Sequence, residues 1–209
     1  DDQQDEKNYP LRLSQGRDKE CRDGLAATTA AISEIDDQIS EVVIELFNQG
    51  LLGNGTRVSA GQVIAFQGHT GCSYGSHLHF DIRDRYDNRL DPLPTYLSYS
   101  GGYIYGNKYL APMSNAYMTQ NYSSSHRALD MVSLTDGYGP TYRVPNGLCP
   151  IVDYLISKYG PYAHLTGEGQ PIRAISAGRV YYGVESRWNG KYALVVHDDG
   201  YKSFYLHIQ

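Results

Sequence analysis

The chain has 209 residues, enough for one domain with a sizeable core, and its formal net charge is -5 with an isoelectric point near 5.8. Nucleic-acid binding relies on concentrated Lys and Arg, so this acidic chain, which has no basic stripe, is not expected to bind nucleic acid. Its apolar runs are far shorter than a bilayer requires, and we expect no membrane span.

A single long helix is predicted near the start of the chain, after an acidic, polar segment at residues 1–20 that is expected to be a loop. Apolar residues recur at helical spacing from Asp23 to Phe47, and Gly50 can end the helix. The apolar stripe is expected to pack on a sheet, with a partner-binding or regulatory face as the alternative. The stripe consists of Leu25, Ile32, Ile35, Ile39, Val42, Val43 and Leu46.

Short β-rich runs separated by Gly, Asn and Asp follow from Thr56 onward, which predicts a mainly antiparallel β core and an α+β fold. The turn Asp198-Asp199-Gly200 predicts a hairpin from Tyr192 to His207, and His197 beside this turn is expected to be solvated. The predicted β runs are 61–67, 77–84, 128–134, 171–183, 191–197 and 201–208.

These elements divide the chain into an acidic loop plus helical insertion at 1–50 and a β-domain at 51–209. Residues 97–108 are expected to be a connector, and Pro150–Tyr159 a short helix stopped by Gly160. Three cysteines, Cys21, Cys72 and Cys149, allow one disulfide in any of three pairings, or three unpaired thiols.

The most informative motif is His77-Leu78-His79-Phe80. Side-chain direction in a strand repeats every second residue, so His77 and His79 project from one face and can share a small polar site. On its own such a pair is a weak signal, because most His-x-His pairs are surface or core histidines rather than metal ligands. Its weight depends on whether the chain supplies further ligands.

Two further motifs supply such ligands. His126 and Asp130 are four residues apart, within reach of a common ion from a helical turn or from a loop entering a strand. Nitrogen plus carboxylate suits zinc, although a surface salt bridge is the alternative. His207 lies near the end of a predicted strand, in Phe204-Tyr-Leu-His.

Together these motifs resemble the lysostaphin-type zinc endopeptidases of bacterial cell walls, whose signatures are a His-x-x-x-Asp pair, a Tyr-x-His strand and a His-Leu-His-Phe strand. The resemblance implies their β-sheet fold, of the duplicated-hybrid type. It implies a Zn²⁺ site with His126, Asp130 and His79 as ligands. His77 and His207 would then be the catalytic pair, one a general base and the other a transition-state stabiliser, in an order that the resemblance leaves open.

The sequence departs from this family in small ways. Ala128 stands where glycine is usual, and Asp81 where glutamate is common. His69, His164 and His197 match no family position, and Cys72 receives no catalytic role.

The order of the motifs also differs, since His77 and His79 precede His126, Asp130 and His207. The chain therefore reads as a circular permutation of the family domain, opened near residues 100–102. Joining Gln209 to Asp1 would restore the family order of the motifs. The permutation therefore predicts that these two residues lie close together. Termini on distant faces would contradict this.

The function that follows is a secreted or cell-envelope zinc endopeptidase that cuts peptide bonds in peptidoglycan cross-links or stem peptides through a metal-activated water. One alternative is a non-catalytic wall-binding or hydrolase-activator module, which retention of all five site residues disfavours. Another is a general extracellular zinc protease with the same chemistry. Nothing in the sequence sets the oligomeric state, and we expect a monomer.

Overall fold

The protein is described from a computed structural model, which covers residues 27, 29–73, 75–134 and 167–209. Helix α1 spans residues 29–48 and ends before Gly50, whose φ of 73° is the left-handed conformation that glycine adopts readily. The strands of the described residues are β1 Thr56–Val58, β2 Val63–Phe66, β3 Leu78–Arg83, β4 Arg89–Leu90, β5 Leu97–Ser100, β6 Tyr103–Gly106, β7 Ala116–Gln120, β8 Leu129–Ser133, β9 Pro171–Arg173, β10 Gly178–Val184, β11 Lys191–His197 and β12 Lys202–Leu206.

The main sheet follows the order β1-β10-β11-β12-β3-β8-β7-β6-β5, with β4 paired to β3, and a separate pair joins β2 to β9. Every pairing between these strands is antiparallel. The described residues thus form a mostly antiparallel sheet with one helix, as the α+β prediction requires. No helix in this part of the chain is both long and apolar enough to cross a bilayer.

The predicted hairpin is confirmed as β11 and β12, whose register pairs Tyr192 with Leu206. Gly200 closes the turn with a φ of 85° and donates its N–H to the His197 carbonyl at 2.9 Å. The expectation that His197 is solvated is wrong, because it is only 3% exposed and its Nε2 lies 2.8 Å from Ser203 Oγ.

Strand β3 lies in the middle of the sheet and is buried along its whole length. β12 pairs with one edge of it and β8 with the other. The register sets Leu206 opposite His79, and His79 opposite Asp130. Because β12 and β8 are distant in sequence from β3, this central position brings together residues that the chain separates widely.

The connector expected at 97–108 is itself a hairpin made of β5 and β6. Gly101 and Gly102 form its turn with φ values of 59° and 93°, as a two-residue hairpin loop favours. Tyr109, just beyond β6, donates its hydroxyl to Asp199 at 2.5 Å. This bond ties the added hairpin to the β11–β12 turn.

Helix α1 packs on the sheet through part of the predicted stripe. Ile39, Val43 and Ile44 form one apolar cluster with the sheet residues Tyr192, Leu194, Phe204 and Leu206. Burying each such aliphatic side chain contributes roughly 1.5–3 kcal/mol. Val42, predicted in the stripe, is instead 50% exposed. The buried face also carries polar side chains, so it is rotated from the predicted stripe and leaves Val42 outside; these side chains are Ser33, Asp36 and Ser40.

Several expectations lie outside the described residues, namely the loop at 1–20, the short helix at Pro150–Tyr159, and the position of Asp1 relative to Gln209. The proximity of the termini therefore stays a prediction. Cys72 is disulfide-bonded, while Cys21 and Cys149 lie outside the described residues.

Burial lowers the pKa of His197, so the folded state favours its neutral form. The resulting stabilisation is fully present above the pKa of His197 in the unfolded state, about 6.5, and is lost as the pH falls below that value. We expect the melting temperature of the wild type to fall more steeply below pH 6.5 than that of His197→Gln. Parallel curves from thermal melts at pH 5 to 8 would contradict this.

Candidate metal centre

Five polar side chains meet at β3 and its two neighbours. His79 lies within β3, and His77 just before it, where it forms a bridge with Gly68. Asp130 lies in β8 and His126 in the loop that enters it, so the sequence alternative of a helical turn does not apply. His207 follows β12 directly. The structure thus brings together all five predicted site residues.

Asp130 is the centre of the group. Its Oδ1 lies 2.9 Å from His79 Nδ1 and 3.2 Å from His126 Nε2, and its Oδ2 lies 3.8 Å from His77 Nε2. His77 and His79 therefore face the same carboxylate, as their two-residue spacing predicted. Three imidazoles share one acidic side chain.

His79, His126 and Asp130 form a group whose ligand atoms all lie within 4.8 Å of one another and which could hold a metal ion. His79 and His126 are 0% and 1% exposed, and His126 Nε2 is buried without a hydrogen-bond partner among the described residues. Ligands at about 2.0–2.2 Å from a tetrahedral zinc ion lie roughly 3.3–3.6 Å apart. The 2.9 and 3.2 Å separations come close to this, so the residues fit such an ion.

Backbone carbonyls orient three of the rings. A carbonyl oxygen can only accept a hydrogen bond, so each Nδ1 is assigned the N–H and each Nε2 is left facing the site. The three contacts are His77 Nδ1 to Gly75 O at 2.9 Å, His126 Nδ1 to Asn121 O at 3.1 Å, and His207 Nδ1 to Thr70 O at 2.8 Å. This support by a second hydrogen bond is the arrangement that metal-binding histidines use.

The environments of His77 and His79 have opposite effects on their pKa. Burial lowers the pKa of His77 to about 4, with the Asp130 charge opposing and His207 assisting. Burial also disfavours protonated His79, but the hydrogen bond and charge of Asp130, with the charges of Asp36 and Asp81, outweigh it and raise its pKa to about 9. For Asp130 itself, burial is outweighed by the three histidines, which hold its pKa well below the usual range.

His207 stands beside the metal group. Its ring centroid lies 4.6 Å from that of His77 and 6.2 Å from that of His79. Its φ of 65° lies in the left-handed region, which is uncommon outside glycine. Non-glycine residues held in this region cluster at functional sites.

Sequence reasoning missed Asp36 of helix α1. Its Oδ2 lies 3.3 Å from His207 Nε2 and 3.9 Å from His79 Nδ1, and the residue is 2% exposed. The signal was present, because Asp36 stands four residues after Ile32 and three before Ile39, on the face predicted to be buried. A carboxylate at such a position requires a partner.

The remaining histidines lie apart from this group or outside the described residues. His69 is paired with Glu168 at 2.9 Å, with 46% of its side chain exposed. Ala128, at a position where the family usually has glycine, is fully buried. Asp81, at a position where the family commonly has glutamate, accepts a hydrogen bond from Ser40 Oγ at 2.6 Å. His164 is not among the described residues.

Comparison with known proteins gives one match. Residues 28–92 match the sequence model of Peptidase family M23. Neither the curated proteins nor the solved structures give a significant match. The matched range includes His77 and His79, whereas the fold brings His126, Asp130 and His207 beside them from outside it. The match supports the lysostaphin-type peptidase family, whose members are typically zinc metallopeptidases.

A matched pair on one strand face tests the metal assignment. We expect His79→Ala to lose zinc affinity by more than the ~10–100-fold that loss of an outer-shell partner costs, because a ligand atom is removed. His77→Ala should retain near-wild-type affinity. Zinc titration against a chelating indicator at pH 7.5 measures both. Equal losses in the two variants would mean that His77 is also a ligand.

Proposed function

We propose that this protein is a zinc-dependent endopeptidase that hydrolyses peptide bonds in bacterial peptidoglycan. The observation that carries the proposal is the convergence of His79 Nδ1 and His126 Nε2 on Asp130 Oδ1, at 2.9 and 3.2 Å. Two nitrogen ligands and one carboxylate leave a fourth position open, which is the arrangement of catalytic rather than structural zinc. The match to Peptidase family M23 supports the same reaction class.

Zinc held by these residues would supply a Lewis acid that activates water near neutral pH and polarises the scissile carbonyl. The Asp130 carboxylate would offset part of the metal charge. Its contact with His77 connects the metal ligands to the histidine that would face the substrate. The buried position of His79 and His126 excludes bulk water from the ligands, which strengthens electrostatic interactions at the site.

His77 is assigned as the general base. Its lowered pKa keeps the ring neutral at pH 7, and its Nδ1–H donates to the Gly75 carbonyl. The lone pair on Nε2 is therefore available toward the site, where an attacking water must lose its proton. Proton transfer through a positioned histidine contributes typically ~10²–10⁴-fold to a rate.

His207 is assigned to the developing oxyanion. The Thr70 carbonyl accepts its Nδ1–H, which leaves Nε2 as the ring atom that faces Asp36 Oδ2, at 3.3 Å. In its doubly protonated form the ring donates an N–H from Nε2, and such a donor in a buried cleft stabilises negative charge on the substrate carbonyl oxygen.

The substrate and the location are part of the proposal. Peptidoglycan cross-links or stem peptides are the substrates that the family resemblance implies, and they place the protein outside the cell or in the envelope. A hydrolase activator without chemistry would not need His77, His79, His126, Asp130 and His207 to share one site. The permuted motif order belongs to the same proposal.

Activity assays on purified peptidoglycan test the assigned roles. We expect His77→Ala and His207→Ala each to lower kcat by about 10²–10⁴-fold, because each removes a proton-transfer or oxyanion-stabilising group. His69→Ala, a histidine on the surface beside Glu168, serves as the matched control and should keep wild-type activity.

The products are identified by mass spectrometry and by new amino termini. Peptide-bond cleavage yields new amino groups without new reducing sugar ends. Undiminished cleavage by His77→Ala, or release of sugar ends, would contradict the assignment.

A further inference from the structure

Helix α1 presents an acidic stripe to the site. Asp36 and Asp37 lie one turn before Ser40 and Glu41, and all four reach residues of the sheet or of its loops. Ser40 donates to Asp81 at 2.6 Å. The side of the helix that carries this stripe therefore contacts polar and charged groups, whereas Ile39, Val43 and Ile44 make the apolar contacts.

Three arginines from separate segments form ion pairs with the carboxylates of this stripe. Asp37 is paired with Arg89 of β4 and lies 3.1 Å from Nε of Arg127. Glu41 lies 3.1 Å from Nη1 of Arg83 in β3, 3.3 Å from Nε of Arg89 and 3.5 Å from Nη2 of Arg127. One acidic turn of α1 thus bridges all three guanidinium groups, which we call the arginine cluster.

The charges on the sheet side do not balance without the helix. The arginine cluster carries three positive charges, and Asp81, at 3.5 Å from Arg83 and 3.7 Å from Arg89, offsets one of them. Asp37 and Glu41 offset the other two. The side chains of Arg83 and Arg89 are each 2% exposed, and uncompensated charges at buried positions are strongly unfavourable. A state in which α1 moves away leaves two positive charges for water or another anion to compensate.

The helix does not use all the donors of the cluster. The Nε atoms of Arg83 and Arg89 are buried and make no hydrogen bond of good geometry among the described residues, although they lie in ion pairs, 3.5 Å from Asp81 and 3.3 Å from Glu41. Planar guanidinium groups bind carboxylates best through two parallel hydrogen bonds. The cluster therefore retains donor capacity that a different arrangement of carboxylates would use.

The arginine cluster is linked to the reacting groups through residues adjacent in the chain. Arg127 directly follows the metal-group residue His126, and Asp37 directly follows Asp36, which faces His207 and His79 at 3.3 and 3.9 Å. With α1 in place, the Asp36 carboxylate occupies the space between His207 and His79. A substrate carbonyl would have to enter that same space to reach both groups.

We propose that Arg83, Arg89 and Arg127 form a carboxylate-binding subsite of this peptidase, and that α1 occupies it as an internal stand-in for an acidic peptide. The proposal rests on the proposed function and adds the substrate chemistry, a peptide with two carboxylates beside the scissile bond. Substrate and helix compete for one place. Weakening the helix contacts should then strengthen binding of an acidic peptide.

Two variants break the same ion pair from opposite sides. Asp37→Asn removes the helix carboxylate and keeps all three arginines, whereas Arg127→Gln removes one arginine together with its contacts to Asp37 and Glu41. Glu34→Gln, an exposed carboxylate of the same helix, is the matched control. Amide hydrogen exchange of α1 reports opening of the helix independently of any activity.

The probe is a fluorescein-labelled peptide with two glutamates flanking a reduced, non-cleavable amide, compared by anisotropy with its glutamine counterpart on the zinc-loaded full chain. We expect Asp37→Asn to exchange faster and to bind the glutamate peptide about tenfold tighter than wild type. Arg127→Gln should exchange faster without that gain. Glu34→Gln should match wild type, and the glutamine peptide should bind weakly throughout.

An equal gain in Arg127→Gln, or faster exchange in Asp37→Asn with unchanged affinity, would overturn the subsite. If Asp37→Asn exchanges at the wild-type rate, the Asp37→Asn/Glu41→Gln double variant decides. If α1 of the double variant does not exchange faster, these ion pairs do not hold the helix in place. If α1 exchanges faster but the glutamate peptide binds no more tightly, the subsite is contradicted. A further outcome is that the peptides bind in the expected pattern while the glutamate peptide with an ordinary, cleavable amide is not hydrolysed. That result would support the subsite and reject the peptidase function.

Discussion

The whole arrangement depends on the Asp130 carboxylate, which three histidines surround at 2.9 to 3.8 Å. An ionised carboxylate removed from water is stable only when opposite charges or hydrogen bonds compensate it. The protein meets this condition by placing β3 between β8 and β12. His79 comes from β3 and His77 from the residue just before it, Asp130 and His126 come from β8 and its loop, and His207 comes from the end of β12.

The parts of the site that the sequence predicted are those controlled by short spacing. His77 and His79 share a face because strand side chains alternate, and His126 reaches Asp130 because four residues of loop and strand separate them. The hairpin was equally local, since its turn lies in Asp198-Asp199-Gly200. That these motifs belong together came from the family resemblance. Spacing alone did not set β3 between β8 and β12.

The contribution of α1 could not be predicted in the same way. Helical periodicity indicates which face is buried, but not which groups that face meets. Sequence reasoning did not identify Asp36 as a site residue, because carboxylates usually face solvent. In the structure the Asp36 carboxylate faces His207 instead. The prediction for Val42 was wrong for the related reason that the buried face includes polar residues such as Asp36 and Ser40, and Val42 lies outside that face. Such long-range charge pairs leave no periodic trace in the sequence.

Zinc-edge X-ray absorption of the protein loaded at one equivalent tests most directly the proposal that His79, His126 and Asp130 hold one catalytic zinc ion. We expect two imidazole rings and oxygen ligands at about 2.0–2.2 Å, with no sulfur. A sulfur ligand, a third imidazole, or failure to retain one equivalent of zinc would contradict it.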